Sequence, residues 1–246
     1  MNKIYIIANW KMNPQNKQDA SDLLENISKE IDSRYHEKVE IIVLPPYVLM
    51  QDVSMSFEKY SLSFSLGTQN IFWQNFGAFT GEISPNMVKE IGCKYALIGH
   101  SERKIYLGET IDMIEKKLKI TIKEDLIPIL CLNPRKDSIE KLSEELAIYL
   151  EDIPNEYRQR IMFVYEPVEA ISTQGGKIPS LEELVKMKKN IKKMTWSDAK
   201  IIYGGSVSSS NIKQFIQEVG FDGVLIGAKS LDSKEFSSII NQVIKL

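Results

Sequence analysis

The sequence predicts an α/β fold, a single (β/α)8 barrel with eight parallel strands spanning residues 1–246. The chain has 246 residues, and a barrel of this kind takes about 250. Short β-rich runs alternate with stretches whose apolar residues recur at helical spacing, the pattern of βα units that build a parallel sheet. Gly, Ser and Pro gather at strand ends rather than in one long stretch, so no linker divides the chain into two domains.

Strands are expected at 4–8, 39–44, 61–66, 94–98, 127–132, 161–165, 200–203 and 223–226. That is the number a closed barrel requires. Between them, 17–31, 84–91, 109–124, 138–151, 180–194, 209–218 and 233–245 carry an apolar stripe with Lys and Glu opposite, and a further helix is expected near 47–58. Ser180 followed by Glu182 and Glu183 has the form of a helix N-cap and acidic first turn. Pro14, Pro45, Pro154 and Pro179 all fall outside helix interiors, where a ring without an N–H does no damage.

Composition narrows the function. Apolar residues make up 43% and charged residues 26%, as in an ordinary folded protein. A net charge of −2 offers no footprint for nucleic acid or an anionic membrane, so any bound anion must be held locally. Cys93 and Cys131 lie in or beside apolar strand-like runs and are expected as free thiols in a reducing compartment. His36 and His100 lack ligand spacing to a cysteine, and neither a metal nor a cofactor is expected. The chain enters a strand almost at once, and no run approaches membrane-spanning length, which points to the cytoplasm. Asn26-Ile27-Ser28 matches a glycosylation sequon within a helical pattern and is read as chance.

In (β/α)8 barrels the active site is built from loops at the C-terminal strand ends. Asn9 and Lys11 follow the first strand, His100 the fourth and Glu166 the sixth, while Gly204-Gly205-Ser206 closes the seventh. Singly, a strand-end His is ordinarily structural, a Glu-Pro pair is a loop, and a glycine pair is a tight turn. Reactive groups at matching ends of several strands, beside backbone able to hold an anion, point instead to one site.

The chain resembles the triosephosphate isomerase family over essentially its whole length. The resemblance rests on Asn9-Trp10-Lys11-Met12-Asn13, Gly67-Thr68-Gln69-Asn70, Gly77-Ala78-Phe79-Thr80-Gly81-Glu82, Gly99-His100-Ser101-Glu102-Arg103, Tyr165-Glu166-Pro167-Val168 and Tyr203-Gly204-Gly205-Ser206-Val207. It implies interconversion of dihydroxyacetone phosphate and glyceraldehyde 3-phosphate through an enediolate. Glu166 is then the general base, His100 a neutral electrophile kept so by the helix beginning at Ser101, and Lys11 a fixed positive charge. Asn9 orients the substrate, and Glu102 supports the site or relays protons. Ser172, Gly205, Ser206, Gly227 and Ala228 are implied as phosphate donors through backbone N–H groups. Lys229, after Gly227-Ala228, is read as solvated.

The resemblance also implies a closing lid at residues 167–177, whose usual form is similar to Pro-Val-Trp-Ala-Ile-Gly-Thr-Gly. This chain has Glu169, Ser172 and Gln174 where the family has Trp, Gly and Gly. Cys131-Leu132-Asn133-Pro134 stands where the family has Cys-x-Gly-Glu, so two segments that resemble a lid and its latch have changed together. An altered lid leaves open an isomerase of the same fold acting on a four-carbon ketose phosphate. A phosphate-binding protein without turnover is the other class, and it would need no general base. The loop at 70–82 carries Phe72, Trp73, Phe76 and Phe79, too apolar to remain in water. By resemblance it inserts into a second subunit of a homodimer, bringing Thr80 toward Asn9 and His100 of the partner subunit.

Overall fold

The computed structural model describes residues 3–134, 139–167 and 178–246. Eight strands form one closed, all-parallel barrel in sequence order. They are β1 (Ile4–Asn9), β2 (Val39–Leu44), β3 (Ser65–Thr68), β4 (Tyr95–Ile98), β5 (Ile127–Leu132), β6 (Met162–Tyr165), β7 (Lys200–Gly204) and β8 (Gly223–Ile226). β8 pairs back onto β1, Leu225 facing Ile7 and Ile226 facing Ala8, which leaves the sheet without an edge.

Helices surround the barrel: α1 (Lys17–Glu30), α2 (Tyr35–Lys38), α3 (Met50–Lys59), α4 (Pro85–Glu90), α5 (Ser101–Leu107), α6 (Ile111–Lys123), α7 (Ile139–Leu150), α8 (Asn155–Arg158), α9 (Leu181–Met194) and α10 (Ser233–Ile244). The capping box expected at Ser180 is present, the hydroxyl accepting from the Glu183 N–H while the Glu183 carboxylate accepts from the Ser180 N–H. Among the described residues no helix is long and apolar enough to cross a membrane.

Strand alternation divides the core in two. Ile7, Ile42, Leu97, Ile129, Val164, Ile202 and Leu225 fill the barrel interior, whereas their neighbours Ile6, Ile41, Ile98, Leu130, Phe163, Ile201 and Val224 pack outward under the helices. Both cysteines are buried and free of disulfide.

Three elements differ from the sequence expectation. The third strand was expected at 61–66 but runs Ser65–Thr68. Its first half belongs to the end of α3: Ser61 has φ 54°, and the Leu62 N–H bonds back to the Phe57 carbonyl. Leu62 and Phe64 are apolar because they pack in the outer core, where the Phe64 ring meets Phe57 and Tyr35 edge-on. The helix expected at 209–218 is reduced to a five-residue π-helical turn, Gln214–Glu218. Here Phe215 and Phe221 both lie against the Tyr203 ring, at 4.1 and 5.5 Å between centroids. The 47–58 segment opens with a 3-10 turn, Tyr47–Leu49, before α3.

Candidate active site

The C-terminal ends of β1, β4, β6, β7 and β8 converge on one pocket lined by Lys11, His100, Glu166, Gly204, Gly205, Leu225 and Gly227. Residues from five separated segments meet there because each lies at or just past the C-terminal end of a barrel strand.

Asn9 ends β1 and is buried; its Oδ1 accepts the Lys11 N–H at 3.1 Å. Lys11 itself has φ 56°, a left-handed conformation uncommon for a side chain with a Cβ. This turn carries the Lys11 ammonium to Glu102 Oε1 at 2.5 Å. Glu102 lies in the first turn of α5, where a carboxylate complements the helix dipole.

His100 is the N-cap of α5, and its Nδ1 accepts the Glu102 N–H at 3.3 Å. A neutral imidazole that accepts at Nδ1 carries its proton on Nε2. That nitrogen faces Glu166 Oε1 at 3.3 Å, and the second oxygen, Oε2, accepts from the Asn133 amide at 2.6 Å. Both His100 and Glu166 are buried, 6% and 3% exposed.

Burial works to lower the His100 pKa, but the charge and hydrogen bond of Glu166, with the charge of Glu102, outweigh it and hold the imidazole above its ordinary 6.5. The neighbouring carboxylates thus act on His100 in the direction opposite to the α5 terminus. A full carboxylate in contact exceeds a helix end worth about half a charge. For Glu166, burial works to raise the pKa; His100, Asn133 and the Ser101 N–H together bring it below its ordinary 4.5.

A family model described as triosephosphate isomerase matches residues 4–243. A triosephosphate isomerase of Dictyoglomus turgidum is 37% identical, with 98% of this chain and 99% of that protein covered. One from Alkaliphilus oremlandii is 36% identical, with 98% and 100% covered. The chain belongs to the triosephosphate isomerase family. That is a family of intramolecular aldose–ketose isomerases, and the barrel is its fold.

Of the residues this family resemblance singled out, Lys11, His100, Glu166, Gly205 and Gly227 line the pocket, while Asn9 and Glu102 brace it from behind. Ser206 lies beyond Gly205 and its carbonyl accepts from Asn211. Ala228 opens a 3-10 turn, Ala228–Leu231, held by Ser230 bonding back to the Gly227 carbonyl. Lys229 is exposed and leans outward to within 3.9 Å of Glu235, as a solvated residue should. Ser172 lies outside the described residues, as do Glu169 and Gln174.

The aromatic loop after β3 is split. Phe72 is buried and stacks on Trp73 at 4.1 Å, so these two pack within their own chain. Phe76 is 89% exposed, with Phe79 and Met12 also exposed.

Gly204 belongs to the glycine-rich strand end singled out from sequence, whereas Asn133 and Leu225 carry no site role there. Asn133 had a usable signal, since it is the first residue past β5 and strand-end polar residues carry the site in this fold. Leu225 reads as an ordinary strand residue, and only barrel closure brings it to the pocket.

Proposed function

We propose that this chain interconverts dihydroxyacetone phosphate and D-glyceraldehyde 3-phosphate, serving glycolysis and gluconeogenesis in the cytoplasm as a single barrel domain, residues 1–246. The observation that carries the reading is the buried pair of Glu166 and His100 facing one another across a pocket that also holds Lys11. Triosephosphate isomerase is itself the standard case of this arrangement.

In the proposed reaction the Glu166 carboxylate takes the proton from the carbon beside the carbonyl and returns it to the neighbouring carbon. The dry setting strengthens the base once His100 turns to substrate. His100 donates from Nε2 to the substrate oxygen as that oxygen becomes negative, and the Glu102 N–H at Nδ1 keeps the proton on the productive nitrogen. Lys11 supplies positive charge near the oxyanion and phosphate, tethered by Glu102 and held in its turn by Asn9. Gly205, Ser206, Gly227 and Ala228 offer backbone N–H groups to the phosphate, with Ser172 as a further donor on the lid. No cofactor or metal enters the scheme.

We further propose a homodimer. Phe76, Phe79 and Met12 are exposed apolar side chains that a second copy would cover, bringing Thr80 toward Asn9 and His100 of the partner subunit.

The test is a coupled assay of the purified protein on glyceraldehyde 3-phosphate beside a four-carbon ketose phosphate at equal concentration. Fast three-carbon turnover, lost by roughly a hundredfold to ten-thousandfold in Glu166→Gln, is the expected result. Preference for the four-carbon substrate would reassign the specificity. No turnover of either, or an unimpaired Glu166→Gln, would end the reading.

A further inference from the structure

β5 and β6 run in register, Leu132 opposite Tyr165, and the Glu166 N–H donates to the Leu132 carbonyl at 2.9 Å. The residues just past that rung, Asn133 and Glu166, are therefore locked side by side by the sheet. Asn133 Nδ2 donates to Glu166 Oε2 at 2.6 Å, while Oε1 meets His100 at 3.3 Å. The two carboxylate oxygens thus have two different neighbours. A carboxylate this buried has little water to solvate it and depends on such donors. The other end of the amide, Asn133 Oδ1, is buried and makes no hydrogen bond among the described residues.

We propose that Asn133 is a positioning residue for Glu166, fixing one oxygen of the carboxylate so that the other points at His100 and the substrate space. The proposal rests on the reading of Glu166 as the base. Asn133 does not line the pocket and acts through Glu166 alone. Facing the carboxylate are the imidazole of His100 from β4, the Cys131 thiol from β5 and, across the pocket, Lys11, itself paired with Glu102. The Ser101 N–H also supports the carboxylate, but the donor placed on Oε2 is the Asn133 amide.

Two variants test it, Asn133→Ala, which removes the donor, and Asn133→Asp, which keeps the shape and replaces the donor with a second carboxyl group. In Asn133→Ala the acid limb of the kcat/KM profile should move up by roughly one to two pH units, the weight of a hydrogen bond to a charged group. It should move at least as far in Asn133→Asp. At neutral pH kcat should fall roughly tenfold with KM little changed, since orientation is lost and not substrate contact. A second readout needs no turnover: carbon-13 NMR titration of the labelled Glu166 carboxyl, assigned by its loss in Glu166→Gln. An upward shift of that titration in the folded variants supports the proposal even if the wild-type protein fails to isomerise triose phosphate, an outcome that would end only the functional reading. An unmoved titration in variants with wild-type circular dichroism overturns the proposal, as does an unmoved acid limb in an active enzyme.

Discussion

His100 Nε2 stands 3.3 Å from Glu166 Oε1, and both side chains are withdrawn from solvent. Each shifts the other toward its charged form, the imidazole upward from 6.5 and the carboxyl downward from 4.5, even though burial opposes both. A raised histidine adds stability that is complete below its unfolded pKa and lost as pH rises through its folded one. A lowered glutamate adds stability that is complete above its unfolded pKa and lost as pH falls through its folded one. The pair therefore stabilises the protein most between about pH 4.5 and 6.5. The difference in Tm between wild type and Glu166→Gln should be larger near pH 5.5 than near about pH 8.5. A difference that does not vary with pH would mean the two groups are not coupled.

Gly204 ends β7 against the base. A Cβ built there would lie 2.6 Å from Glu166 Cγ and 2.7 Å from Val164 Cγ1, closer than real contacts allow. Val164 is locked in the barrel interior, so Glu166 must give way. Gly204→Ala should lower kcat by roughly a hundredfold, the cost of misplacing a reacting group by about an ångström. Overpacking should cost only about 1–3 kcal/mol of stability. Steady-state kinetics with thermal denaturation separates the two, and wild-type kcat would show that the base does not occupy this position during turnover.

Away from the pocket, the buried Lys117 on α6 binds both the Glu109 carboxylate and Asn70 Oδ1, joining α6 to the loop that follows β3. Arg103 bonds the same Glu109 oxygen from α5. Lys117→Met removes the cation and leaves the buried carboxylate poorly compensated, a loss of roughly 3 kcal/mol. For a chain of this size that is a fall in Tm of roughly 6–12 °C, measurable by scanning calorimetry. An unchanged Tm would mean that Arg103 alone neutralises Glu109.

Phe76 is 89% exposed on the single chain. Phe76→Asp should leave the Tm of the dissociated chain unchanged while weakening self-association by roughly thirtyfold, as loss of a central interface aromatic does. Sedimentation equilibrium over a concentration series reads this directly. Equal monomeric mass for both proteins at every concentration would remove the dimer.

Much of the barrel was legible in the chain because each strand announces itself by composition. The run Ile161 to Tyr165 is apolar on both faces, as a strand covered inside and out must be. Where apolar residues serve another layer the signal misleads: Leu62 and Phe64 read as strand, yet belong to the turn that ends α3. The 209–218 segment has helical spacing, but Phe215 stacked on Tyr203, with Phe221 tilted against the same ring, favours a wider turn than local periodicity can reveal.

By itself, then, the sequence determined the eight βα units, the free buried cysteines and the placement of Asn9, Lys11, His100 and Glu166 at strand ends, because hydrophobic periodicity and strand-end position are local properties. Tertiary structure alone decided the electrostatics of the site. Whether His100 answers to the end of α5 or to Glu166, and whether Asn133 holds an oxygen of the base, depends on distances of about 3 Å between residues far apart in the chain. Charge interactions and hydrogen bonds strengthen steeply at that range, and only closure of the barrel sets it.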